Sequence, residues 1–180
     1  VIGMASWKMT NTEIRKNNHF TWFPIIEVSK LFVGIFITII PVISILKAGH
    51  EGVLGSLLNL VTDNVGNSNN FMYFWLTGIL SSFLDNAPTY LVFFNIAGSY
   101  ADETMHISDF LMHHASQTLT AISLGAVIMG AMTYIGNAPN FMIKSIAEEN
   151  DVSMPSFFGF MIWSILILIP IYFILSIIIF

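Results

Sequence analysis

Long apolar runs alternate with short polar segments along this chain, and the length of each run decides what it can do. Positions 157–180 hold no ionisable side chain except Tyr172, and a helix needs roughly 20 apolar residues to cross the hydrocarbon core of a bilayer. The pattern therefore predicts a last membrane span over 157–180, bent at Pro170. A first span is predicted over about 24–47, where the uncharged run 31–46 is bracketed by Lys30 and Lys47, whose long stems can reach the two headgroup layers. Pro41 predicts a kink within it. The apolar stretch 53–61 is too brief to cross and reads as an interfacial segment.

Two central runs are interrupted. In 71–101, Asp85, Asn86 and Pro88 divide the run into short arms. Its first arm, 71–84, would rise about 21 Å as a helix against about 30 Å of hydrocarbon. That shortfall predicts a re-entrant helical hairpin over 71–101, with a single kinked crossing as the alternative. The run over 115–147 is broken in turn by Gly136, Asn137 and Pro139, which predicts a discontinuous helix. Between them, 102–114 reads as a polar loop, and 1–22, with Lys8, Glu13, Arg15 and Lys16, reads as an extramembrane loop or surface segment.

Composition agrees with this pattern. Of 180 residues, 55% are hydrophobic and 9% charged, against about 25% charged in soluble domains. A water-soluble fold is excluded on these grounds, and the fold class is all-α integral membrane. There is no cysteine, hence no disulfide framework, thiolate metal site or thiol nucleophile. Six basic residues without a cluster and a net charge of −5 exclude nucleic acid as a partner. The lipid bilayer is the partner instead. With a hairpin at 71–101, Lys8, Arg15, Lys16, Lys30 and Lys144 fall on one side of the membrane and Lys47 on the other, the asymmetry expected of a cytoplasmic face. The chain starts at Val1, which reads as a fragment lacking an N-terminal half.

The most informative feature is an internal echo. Asn86-Ala87-Pro88-Thr89-Tyr90-Leu91-Val92 is matched by Asn137-Ala138-Pro139-Asn140-Phe141-Met142-Ile143. Proline ends one half-helix and suits the first turn of the next, and asparagine can cap the new N-terminus. Backbone freed at such a break survives at membrane depth only when buried or lining a watery cavity. Transporters use it there: carbonyl ends hold cations and N-termini attract anions. Asp85 precedes the first motif, and a carboxylate at membrane depth needs a cation or a proton. Candidate ion-binding residues are therefore Asp85, Asn86, Ala87, Pro88 and Thr89 with Gly136, Asn137, Ala138, Pro139 and Asn140. Asp85, Asn86 and Asn137 are the candidate sodium ligands. The plain alternatives are that Asp85 caps a helix and that the prolines are ordinary kinks.

On these residues the chain resembles the ion transporter superfamily, specifically sodium/proton antiporters of the NhaD and citrate-transporter-like group. The stretches FTWFPIIEVSKLFVGIFITIIPV, MYFWLTGILSSFLDNAPTYLVFFNIAG and YIGNAPNFMIKSIAEENDVSMPSFFGFMIW carry the resemblance, from about Phe20 to the end. It implies the second inverted repeat of a secondary transporter in the bacterial inner membrane, multi-pass, partnered by a missing N-terminal half and by a second copy in a homodimer. It implies no enzyme activity and no cofactor, with sodium and protons as the transported species. It also leads one to expect a small polar residue where Met132 stands. The function expected is sodium/proton antiport, with sodium-coupled transport of an organic anion or oxyanion as the alternative, and an inactive fragment or split subunit as a third reading. Lys144 is expected to reach the membrane rim, His106, His113 and His114 to be solvated, and Trp22, Trp75 and Trp163 to be interfacial anchors. Gly125, Ala126 and Gly130 could permit close helix packing.

Overall fold

Helix starts in this chain are set by short polar side chains that accept from otherwise unbonded amides. The computed structural model describes residues 2–18, 21–22, 26, 29–30, 33–34, 37, 40–41, 44–45, 52, 55–62, 67–102, 104–149 and 151–180, in two units, Val1–Gly34 and Ile35–Phe180. Most of the first span expected over 24–47, with Glu27 and Lys47, lies outside the described residues. The described positions from 26 to 45 are helical.

In the first unit, α1 (Ile2–Met9) and α2 (Thr12–Asn17) bury none of their residues. Asn11 caps α2 by accepting from the Glu13 amide at 3.1 Å. Glu13 in its first turn and Arg15 and Lys16 in its last match the helix dipole. Arg15 also donates to the carbonyl of Trp7, at the open end of α1, and the Trp7 and Trp22 rings meet edge to face at 6.2 Å.

The second unit contains α3 (Gly55–Val61), α4 (Asn70–Ser81), α5 (Asn86–Gly98), α6 (Ile107–His113) and α7 (Ser116–Ile128). A 3-10 turn, Met129–Met132, prolongs α7, and α8 (Ala138–Glu149) and α9 (Phe157–Ile179) complete it. Helix α5 folds back along α4, so that Tyr73, early in α4, meets Phe93, late in α5, with ring centroids 6.3 Å apart. Helix α7 runs parallel to α4. Thr118 donates to Asn70 at 2.8 Å near their starts, and the Ser81 hydroxyl donates to Ala126 O at 2.5 Å near their ends. Both therefore end at the same level, where α5 and α8 begin. Tyr73, Phe74, Phe93, Ile96, Leu111, Ile122 and Met129 form the buried core.

The segment 102–114 departs from the polar loop expected of it. It contains α6, whose Ile107, Phe110 and Leu111, at helical spacing, pack into the core. Leu111 is fully buried. A helix of under two turns surrounded by polar residues carries too short a period to stand out in the sequence. It meets α7 at a bend of 100°.

Helix α9, 23 residues long, is about 34 Å in length. Among the described residues it is the one helix long and apolar enough to cross a membrane unaided. Phe158, Trp163, Leu166 and Ile178 on it are exposed, whereas Ser164, Tyr172 and Ser176 are buried. Its polar side chains tie it down: Tyr172 donates to Ile128 O at 2.7 Å, a carbonyl at the end of α7, and Trp75 donates to the Ser176 hydroxyl at 3.2 Å. Trp75 is thus a packing residue between α4 and α9, while Trp22 and Trp163 are exposed.

Gly125 sets the spacing of α4 and α7, because a β-carbon there would lie 2.4 Å from Phe74 O. Backbone cannot yield as a flexible side chain can. Gly125→Ala is expected to cost on the order of 1–3 kcal/mol, read as a lower melting temperature of the complete protein in detergent. Gly3→Ala, with open space around it, should leave that temperature unchanged.

Candidate functional site

Both Asn-Ala-Pro sequences lie where one helix stops and another starts. After α4 the chain turns through Ser82, Phe83 and Leu84, and Asp85 opens α5 by accepting from the Ala87 amide at 3.3 Å. Pro88 is the third residue of α5, and Pro139 the second of α8. In a first turn the amide that proline lacks has no intrahelical partner to lose. Pro88 is buried and Pro139 exposed. At the second break Asn137 is the cap, accepting from the Asn140 amide at 3.0 Å.

The two motifs thus differ in one respect. Asparagine caps the second helix, but an aspartate one position earlier caps the first. Asn86 is released from capping and turns inward. Hydrogen bonding fixes its orientation: the side-chain nitrogen faces Gly136 O at 3.2 Å, Ala126 O at 2.9 Å and the Ser81 hydroxyl at 3.0 Å. One amide therefore joins the first break to the second and both to the end of α7.

Around this bridge the backbone is packed at glycine distances. A β-carbon on Gly136 would lie 2.4 Å from Gly130 O and 3.0 Å from both Ser81 O and Ser82 O. One on Gly130 would lie 2.4 Å from the Asn86 amide and 3.0 Å from Gly136 O. Hydroxyls and amides satisfy much of what remains. Ser82 donates to Met129 O at 3.0 Å, and Thr133 donates to Ser82 O while accepting from the Gly136 amide at 2.9 Å. Asn140 donates to Gly130 O at 3.3 Å and to Thr133 O at 3.1 Å. The carbonyl ends of α4 and of the 3-10 turn, and the amide ends of α5 and α8, thus meet around a cluster of neutral oxygens and nitrogens.

Asn86, Gly136, Asn137 and Asn140 are in or beside this cluster. Ala87, Pro88 and Thr89 form the first turn of α5 and Ala138 and Pro139 that of α8, supporting it through their backbone geometry. Asp85 is half-buried at the hairpin tip. Among the described residues, no hydrogen bond joins its carboxylate to the second break. Ser81, Ser82, Gly130 and Thr133 are part of the cluster although no motif marks them. The one sequence signal is that Ser81, Ser82 and Thr133 each stand four or five residues before a motif asparagine, where an apolar run turns polar.

Other candidates sit apart from the cluster. Lys144 pairs with Glu148 at 2.6 Å and lies 5.7 Å from the Tyr134 ring centroid, as a helical i,i+4 pair rather than as a free cation. His114 stacks on Phe110. Among the described residues no group of three or more His, Asp or Glu side chains is placed to hold a metal.

A model of the family described as "Putative citrate transport" matches residues 1–180. The chain belongs to that family. Membership makes it a membrane transport protein of the secondary type. Comparison with characterised proteins and with solved structures gives no match.

Because Gly136 is in contact with backbone on three sides, Gly136→Ala is expected to lower the unfolding free energy by about 1–3 kcal/mol. Pro139→Ala, at an exposed first-turn position, should change it by no more than about 0.5 kcal/mol. Denaturation of the complete protein in mixed micelles checks both.

Proposed function

We propose that the chain carries one half of the transport site of a cation-coupled secondary transporter for a citrate-like polycarboxylate, and that the two breaks form that site at membrane depth. The observation that carries this reading is the bridge from Asn86 to Gly136, which draws two helix N-termini and two carbonyl ends into one neutral cluster. N-terminal amides favour carboxylates and carbonyl ends favour cations. A cluster offering both suits an anion carried together with a cation. The family description, citrate transport over the whole chain, supports the same cargo.

The stretch that leads into the second break runs beside α9, the helix long enough to cross a bilayer. Tyr134 stacks on Phe160 at 4.2 Å, and Ile128 accepts from Tyr172. At 1.5 Å per residue, these α9 positions are about 5 and 22 Å from its start. In this reading α4 and α5 form a re-entrant hairpin, α7 and α8 form the discontinuous helix, and the membrane is the bacterial plasma membrane.

Sodium/proton antiport remains the second reading, and Asp85 favours it. A half-buried carboxylate at the hairpin tip could exchange sodium for a proton. The two readings separate on one variant. Asparagine caps a helix about as well as aspartate, so under carboxylate transport Asp85→Asn should leave citrate uptake into proteoliposomes of the complete protein within about threefold. Under antiport, the same variant abolishes sodium-dependent proton movement. Asn86→Ala removes the bridge and should reduce citrate uptake at least about tenfold, the equivalent of a single hydrogen bond to a buried group. If a citrate gradient drives no uptake while sodium drives proton movement, the antiport reading replaces the first.

A further inference from the structure

Two hydroxyls inside the hairpin lack hydrogen-bond partners among the described residues: Thr77 Oγ1 on α4 and Thr89 Oγ1 on α5. Both threonines are 0% exposed. Their level in the hairpin follows from contacts on either side. Tyr73 meets Phe93 further from the tip, and Ser81 meets Asn86 at the tip. Thr77 lies four residues after Tyr73 and four before Ser81, so these three share one face of α4. Thr89 lies three residues after Asn86 and four before Phe93, which puts it on the matching face of α5. The two threonines are therefore at the same depth between the arms.

A helical threonine commonly satisfies its hydroxyl by donating to the carbonyl one turn back, and a buried one left unbonded costs stability without return. Valine has the same shape and carries no such cost. Two unbonded hydroxyls at one level, where valine would fill the space, point to a third group between them. We propose that Thr77 and Thr89 are ligands of the coupling cation, forming a second station about one helical turn from the cluster at the breaks. This rests on the reading of the chain as a cation-coupled transporter. The ligands are neutral oxygens, and within the arms the register brings no carboxylate to their level, since Asp85 lies at the tip. Such a set suits a monovalent ion of sodium's size, which retains water in its remaining positions, better than a divalent ion that calls for carboxylates. Further from the tip, the Tyr73 hydroxyl reaches Thr62 Oγ1 at 3.5 Å.

Radioactive sodium binding to the complete purified protein tests the proposal, with choline replacing sodium at constant chloride so that no anion contributes to the signal. Thr77→Val and Thr89→Val should each raise the sodium concentration for half-saturation about tenfold or more, while Thr77→Ser and Thr89→Ser stay within about threefold. If the valine curves superimpose on the wild type, the hydroxyls are not ligands and the idea is lost. Should a valine variant fail to fold, the Thr77→Ala and Thr89→Ala pair gives the same readout. Citrate uptake is measured alongside. Sodium binding that depends on the threonines without any citrate uptake upholds this station and rejects the cargo. Citrate uptake by a wild type that binds no sodium does the reverse.

Discussion

The packing of the two breaks depends on the side-chain amide of Asn86. Where a helix stops in a buried setting, its last carbonyls and the first amides of the next helix have no partners of their own, and each left unmet costs stability. Two such stops, side by side, double that demand. Asn86 meets part of it by reaching from the first turn of α5 to Ser81, Ala126 and Gly136. An aspartate in its place would set a negative charge against carbonyl oxygens, and a leucine would leave them bare. Only a short neutral donor fits, and only because Gly130 and Gly136 let the backbones approach.

The bridge explains why two nearly identical motifs use their residues differently. At the second break Asn137 is spent on capping, and Asn140 reaches back to Gly130 and Thr133. At the first, Asp85 takes the cap and frees Asn86. Asp85, the carboxylate that stands out in the sequence, caps its own helix, and the neutral residue beside it makes the long-range contact. A sequence repeat does not require a repeat of roles: one asparagine of the pair must cross between the motifs, and whichever residue flanks it must then hold its helix.

Much of this arrangement is written in local signals. Pro88 and Pro139 mark helix starts because proline is tolerated there and costly elsewhere, and α5 and α8 begin within two residues of both. The ends of α9 follow from its uninterrupted apolar run. What the chain does not disclose is pairing. Ser81, Ser82, Gly130 and Thr133 look like ordinary small residues of apolar helices until α4 and α7 are laid parallel with their ends level. Met132, where a small polar residue was expected, is buried in the core at 6% exposure, so that position is filled by packing. Helix α6 carries little signal in the sequence because seven residues show less than two periods of an apolar stripe.

A cluster built from neutral groups has a consequence for coupling under the proposed function. Amide ends alone hold a lone carboxylate weakly, because the ion gives up hydration that neutral dipoles only partly replace. Bound together, the two ions neutralise one another, and every dipole acts on the charge it suits. The state loaded with the carboxylate alone is then the poorly populated one, which is the condition a coupled transporter must meet if it is not to carry the anion without the cation. A fixed lysine or arginine in the cluster would bind the carboxylate without the cation and abolish that condition. Lys144, the cation nearest to the second motif in sequence, is held by Glu148 and by the Tyr134 ring, which leaves the coupling to the ions themselves.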